Sequence, residues 1–178
     1  VHDSASKTCC VIDPGYTPEK VLSEVNALGL TVEAILLTHG HFDHVGGVKE
    51  IAAETGCDVY LCADELTLPP QITAGPLYYT RTYGEGDTLH LAGLTICVIR
   101  TPGHTPGSVC LLIENAMFSG DTLFAGSCGR TDLPGGSGAA MRASLRRLAG
   151  LSADYRVYPG HDMDTTLAEE KRYNPYLQ

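Results

Sequence analysis

The chain has 178 residues, 43% hydrophobic and 19% charged, which is enough for a sizeable core and too apolar for a disordered segment. Its formal net charge of -9 argues against nucleic-acid and anionic-membrane partners. No apolar run approaches the roughly 20 residues that span a bilayer, and no basic-then-apolar leader stands at the start of the sequence as given, which begins at Val1 without a methionine, so its first residues are expected to be missing.

In chain order, "KTCCVID" reads as a buried strand ending at "DPG". In "YTPEKVLSEVNALGL", Thr17 stands as N-cap, Pro18 takes the first helical position and Gly29 stops the run, which predicts a helix over 18–28. "VEAILLT" is a second apolar strand. A helix over 45–55 follows, stopped by Gly56, and then a third strand, "DVYLCA". This β-α-β-α-β opening is the pattern of a layered α/β domain.

Residues 69–86, "PPQITAGPLYYTRTYGEG", show no period and are read as a long surface loop. Its Tyr78, Tyr79 and Tyr83 are candidates for a substrate mouth or for a flap over the core. "DTLHLAGLTICVIRT" predicts a hairpin about "AG", and "GSVCLLIENAMFSGD" a second about "EN". Residues 137–149 read as a helix with Arg142, Arg146 and Arg147 on its polar side. "YRVYPG" is a last strand and 165–173 a closing helix. No linker or repeat interrupts the chain, so a single domain over 1–178 is expected.

The seven cysteines are irregularly spaced and include no C-x-x-C pair. Several stand in apolar runs ("TCCVID", "TICVI", "SVCLL"), where a free thiol serves as a small core residue. A reducing, cytoplasmic setting is the simplest account, and a thiolate zinc site is not expected.

The chemistry concentrates in "AILLTHGHFDHVGG". Here His39, His41, Asp43 and His44 fall within six positions at the end of an apolar strand. His39 and His41 alternate, so in extended backbone they point the same way, while Asp43 and His44 turn off towards the helix. Two ligands on each side of a turn suit two adjacent metals better than one. A metal pair needs more ligands than these. The chain supplies them after three later strands: His104 in "VIRTPGHTPGS", Asp121 in "MFSGDTLF" and His161 in "RVYPGHDMD". His90 lies in an alternating strand and is expected to face solvent. Five imidazoles and two carboxylates with no thiolate accommodate zinc, our first choice, or iron or manganese.

The series H-x-H-x-D-H, "TPGHTPGS", "GDTLF" and "PGHD" resembles the metallo-β-lactamase superfamily over nearly the whole chain. The resemblance implies an αββα sandwich: two mixed β-sheets flanked by helices, with two metals at one edge. It implies that His39, His41 and His104 bind the first metal, that Asp43, His44 and His161 bind the second, and that Asp121 bridges both. Asp13, in "IDPG", matches a position that supports the metal loops by hydrogen bonds, though an ordinary turn aspartate would look the same. True lactamases commonly carry a cysteine in the second site where this chain has Asp121, which counts against antibiotic hydrolysis.

"GSCGRTDLPGG" resembles a segment of short glyoxalase II-like hydrolases and of persulfide dioxygenases. The C-terminal glutathione-binding helical domain of longer glyoxalase II enzymes is not in this sequence. Nor are the first strands that members usually carry before "VIDPG", or the larger insert of nucleic-acid-cutting relatives. Arg130 suits a substrate carboxylate, with a salt bridge to Asp132 as the plainer role. The implied activity is metal-dependent hydrolysis of a small thioester, glutathione-linked in the family, by water activated between two cations and oriented by Asp43 or Asp121. The rival is a mononuclear iron glutathione-persulfide dioxygenase.

Overall fold

The computed structural model describes residues 1–73 and 75–178. Its first sheet runs in the order β1 (Thr8–Ile12), β2 (Thr31–Leu36), β3 (Asp58–Cys62) and β4 (Arg81–Tyr83), every pair parallel. The near-continuous apolar run of β2 follows from burial on both faces. Ala34 and Leu36 face the second sheet, while Ile35 and Leu37 face the helices. Adjacent Cys9 and Cys10 divide in the same way. At the outer edge of β1, Val1 and Cys10 exchange two backbone hydrogen bonds.

The second sheet holds the hairpins β5 (Thr88–Leu91)–β6 (Leu94–Arg100) and β7 (Val109–Ile113)–β8 (Ala116–Gly120). The first turns at Ala92 and Gly93, both at positive φ, the geometry that matches strand twist in a two-residue turn. A ribbon of β9 (Leu123–Phe124) and β10 (Ser127–Cys128) follows. Then β11 (Arg156–Pro159) joins the sheet parallel to β8, and β12 (Thr165–Thr166) closes that edge. The expectation of mixed strand directions therefore holds for this sheet, while the first is wholly parallel.

Helices α1 (Pro18–Ala27), α2 (Phe42–Val45), α3 (Val48–Thr55), α4 (Pro70–Thr73), α5 (Gly138–Ala149) and α6 (Leu167–Tyr173) complete the chain. Three apolar slabs result, as an αββα sandwich requires. One lies between the sheets, one joins the first sheet to α1 and α3, and one joins the second to α5 and α6. In α5, Met141, Leu145 and Leu148 recur at helical spacing on the buried side, and Arg142, Arg146 and Arg147 face out. Ser137 caps α5 by accepting the Ala140 N–H, which contributes about 1 kcal/mol.

Four expectations are corrected. Thr17 sits at the start of α1, but its side chain makes no capping hydrogen bond; its backbone carbonyl takes the N–H groups of Lys20 and Val21 instead. The helix expected over 45–55 is divided at Gly46–Gly47, where the Gly15–Tyr16 turn packs too closely for a side chain: a Cβ at Gly46 would lie 2.5 Å from the Tyr16 ring. The stretch 69–86 is not all loop, for it contains α4 and β4, both too short to show a period; residue 74 lies outside the described residues. Within it Tyr83 is buried and donates its hydroxyl to the Leu37 carbonyl, so of the three tyrosines only Tyr78 and Tyr79 are exposed. Cys97 points outward from β6, whereas five of the other thiols are buried and act as core.

Candidate metal centre

Strands β1, β2, β6, β8 and β11 all deliver their C-terminal ends to one edge of the sandwich, and each is followed by a residue singled out from the sequence. The extended turn after β2 carries His39 and His41, and the single turn of α2 carries Asp43 and His44. The β6–β7 loop carries His104, Asp121 follows β8, and His161 follows β11.

All seven side chains converge. Ring centroids of His39, His41 and His104 are 4.5–4.9 Å apart, and one ligand atom from each lies within 4.8 Å of the others. Asp43, His44 and His161 form a second such group. Asp121 stands between them, with Oδ2 3.3 Å from His104 Nε2 and Oδ1 3.4 Å from His44 Nε2. Gly160 makes this approach possible, because a Cβ there would lie 2.4 Å from Asp121 Oδ1.

Hydrogen bonds behind the cluster aim the rings. His44 Nδ1 donates to Asp13 Oδ2 at 3.0 Å. Thr38 Oγ1 donates to the same oxygen and lies 3.1 Å from His39 Nδ1, so it accepts from that ring. His104 Nδ1 donates to the Arg130 carbonyl at 2.8 Å. Each of these rings therefore turns its Nε2 towards the centre. Asp13 thus has the supporting position that its motif suggests, and it reaches two histidines at once.

Four buried atoms in the cluster have no hydrogen-bond partner among the described residues: His39 Nε2, His41 Nε2, His104 Nε2 and Asp121 Oδ1. Buried polar atoms are seldom left this way, so a converging set of four is what a cation site requires. Burial holds the His39 and His104 imidazoles below their usual range and takes His41 down to about 4, so all three present neutral lone pairs. His44 differs. Burial pulls it down, but the Asp13 hydrogen bond and the charges of Asp13, Asp121 and Asp43 outweigh this and raise it to about 9. Burial also pushes the Asp121 carboxyl up.

The family model described as the metallo-beta-lactamase superfamily matches residues 5–161. The chain belongs to the metallo-β-lactamase superfamily. Among its relatives, the hydroxyacylglutathione hydrolase GloC of Haemophilus influenzae is 33% identical over 96% of this chain and 88% of its own length. Of solved structures, the BLEG-1 B3 metallo-beta-lactamase superposes with a TM-score of 0.90 at 34% identity, covering 99% of this chain and 91% of that one. TTHA1623 in a di-iron-bound form gives 0.84 at 42% identity, covering 93% and 88%. Membership makes the chain part of a superfamily of metal-dependent hydrolases, and its histidine and aspartate clusters are those of a divalent-metal site.

In this superfamily member the Arg130 side chain makes no hydrogen bond to any of the seven among the described residues. Its guanidinium makes two 2.7 Å hydrogen bonds to the Asp132 carboxylate, and both side chains are exposed. The Arg130 carbonyl is what reaches the cluster. His90 is exposed on β5, as expected. A groove of about 710 Å³ runs from Asp43, His44 and His161 along the open edge of β1, walled in part by Val11, Ile12 and Phe118. Two residues with clear roles escaped the sequence reading. Thr38 read only as the end of a strand, and Glu65 sat unremarked in "CADELT" although it is fully buried. No helix among the described residues is long and apolar enough to cross a membrane.

Proposed function

We propose that the chain hydrolyses a small thioester, of the hydroxyacylglutathione type, using two divalent cations, with zinc the first choice and iron or manganese also suited to the donors. The observation that carries this reading is the convergence of His39 Nε2, His41 Nε2, His104 Nε2 and Asp121 Oδ1 as buried atoms without partners. His39, His41 and His104 would hold one cation, and Asp43, His44 and His161 the other, with Asp121 between them. Such cations, when bound, polarise a carbonyl oxygen and make water acidic enough to supply a nucleophile near neutral pH.

The protein's own groups do the rest. Asp13, Thr38 and the Arg130 carbonyl fix the tautomers of three rings before substrate arrives. Asp43 is reached by solvent and its Oδ2 lies 3.2 Å from His161 Nε2, so it is placed to orient an attacking water by accepting its hydrogen bond. Asp121, largely shielded from solvent, is the second candidate for that role. A departing thiolate needs little proton assistance, since thiol pKa values near 8.5 lie far below those of alcohols. This suits a centre rich in ligands. Arg130 would meet a substrate carboxylate by exchanging it for Asp132.

The relation to the GloC hydroxyacylglutathione hydrolase supports a glutathione-linked substrate. A second reading, a mononuclear iron glutathione-persulfide dioxygenase, rests on the segment "CGRTD". Metal analysis of the purified protein beside an S-lactoylglutathione hydrolysis assay tests both. Near two metals per chain with thioester turnover is expected. One iron per chain, with oxygen uptake on glutathione persulfide and no thioester turnover, would replace the first reading with the second. Turnover of a β-lactam alone would overturn both.

A further inference from the structure

We propose that Glu65 is a positioning residue: its carboxylate clamps the loop bearing His39 and His41 to the loop bearing His104, so that the three imidazoles meet a cation already in register. The proposal rests on the metal-dependent reading above. Glu65 lies in a 3-10 turn, Ala63–Thr67, directly after β3. Its side chain is fully buried and hydrogen-bonds to none of the seven cluster side chains among the described residues. Its Oε2 accepts the Gly40 N–H at 2.5 Å and its Oε1 accepts the Gly107 N–H at 2.7 Å. Gly40 stands between His39 and His41, and Gly107 is three residues beyond His104. One side chain thus joins two loops that come from different sheets.

The chemistry of the contact explains the residue type. Two backbone donors converge on one side chain, and only a carboxylate offers an acceptor oxygen to each; an amide would set its own NH₂ against one of them. A buried carboxylate is costly, and an apolar residue would fill the same space more cheaply if packing were all that mattered. Burial does push the Glu65 carboxyl up, opposed by hydrogen bonds from Thr105, Gly40 and Gly107. The loops are shaped to it. A Cβ at residue 107 would lie 2.8 Å from Glu65 Oε1, and one at residue 40 would lie 3.0 Å from Oε2. The neighbouring Asp64 reinforces the joint. It pairs with Arg100, whose Nη2 also donates to the Pro106 carbonyl at 2.9 Å, so the same turn grips the His104 loop twice.

The test compares Glu65→Gln and Glu65→Asp with the wild type. Chelator competition should show Glu65→Gln losing about 10–100-fold in cation affinity, the scale seen when a group that orients a ligand is removed. Its kcat should fall with KM nearly unchanged, and its cobalt-substituted visible spectrum should differ from that of the wild type. Glu65→Asp keeps both acceptor oxygens and should fall between the two. A purely structural role predicts instead a lower melting temperature with affinity, kcat and spectrum per folded molecule unchanged, and that result would overturn the proposal. Hydrogen exchange at the Gly40 and Gly107 amides of the metal-free wild type needs no variant. Protection of both is expected, and free exchange at either also overturns it. Wild-type protein that takes up no cation takes this inference and the proposed function down together. Cation-loaded wild type matched by an equally loaded, equally active Glu65→Gln takes down this inference alone.

Discussion

His39, His41 and His104 are each no more than 5% exposed, whereas the side chains of Asp43 and His161 are 31% and 48% exposed. The first group is a neutral socket: burial keeps its rings unprotonated, and backbone and Thr38 contacts fix two of them. The second group is an acidic, solvent-reached rim in which His44 alone is buried and is pulled up by the carboxylates around it. One half is therefore preformed and costs little to fill. The other half must give up a proton from His44 and order an exposed imidazole. On the proposed two-cation reading, this contrast implies a tight site beside a more exchangeable one, and it can be attacked from either side.

The largest effect is expected from His104→Ala. It removes a donor from the socket and the partner that Asp121 Oδ2 faces at 3.3 Å. Metal content and activity should fall together, the latter by at least about 1,000-fold, because the charge stabilisation lost is worth several kcal/mol. Elemental analysis and thioester assays check this, and normal turnover in a variant with full metal loss would refute the metal-dependent reading. His161→Ala should do less. The ring is half exposed and contributes only to the rim. Metal content should drop from two per chain to one, with activity down roughly 10–100-fold and the melting temperature little changed. If that variant lost both cations equally, the two halves would be one cooperative unit and the contrast drawn above would fail.

Much of this was legible in the sequence, for identifiable reasons. Metal-ligand residue types are rare enough that His39, His41, Asp43 and His44 in six positions stand out, and the later His104, Asp121 and His161 are each marked by a preceding apolar strand and a glycine. The two hairpins about "AG" and "EN" follow from local turn chemistry. What was hidden is non-local. Nothing in "CADELT" tells that Glu65 will meet two backbone donors 25 and 42 residues away. Nor does "RTY" announce a strand, since three residues cannot display a period and β4 exists only because β3 offers it an edge. The break at Gly46–Gly47 was written in the glycine pair, but its cause, the Gly15–Tyr16 turn lying against it, comes from another part of the chain.

The smallest and sharpest test is the pH dependence of the metal-free protein, because the two halves should pull it in opposite directions. His41 is held down to about 4 by burial first and by His104 next, against an ordinary 6.5. Between those values the unfolded chain binds a proton that the folded one refuses, so this contribution is complete above about 6.5 and is lost as pH falls towards 4. His44, facing Asp13, Asp43 and Asp121 as well as His39 and His161, is raised to about 9. Its contribution is complete below about 6.5 and is lost as pH rises through 9. The melting temperature of the metal-free protein should therefore peak near 6.5 and sag on both sides. Asp13→Asn removes the main group holding a proton on His44, so it should flatten the alkaline limb and leave the acid limb in place. An alkaline limb that survives Asp13→Asn unchanged would mean that Asp13 is not the main group holding the proton on His44. Saturating cation should abolish that limb in the wild type, since it takes the place of the same proton.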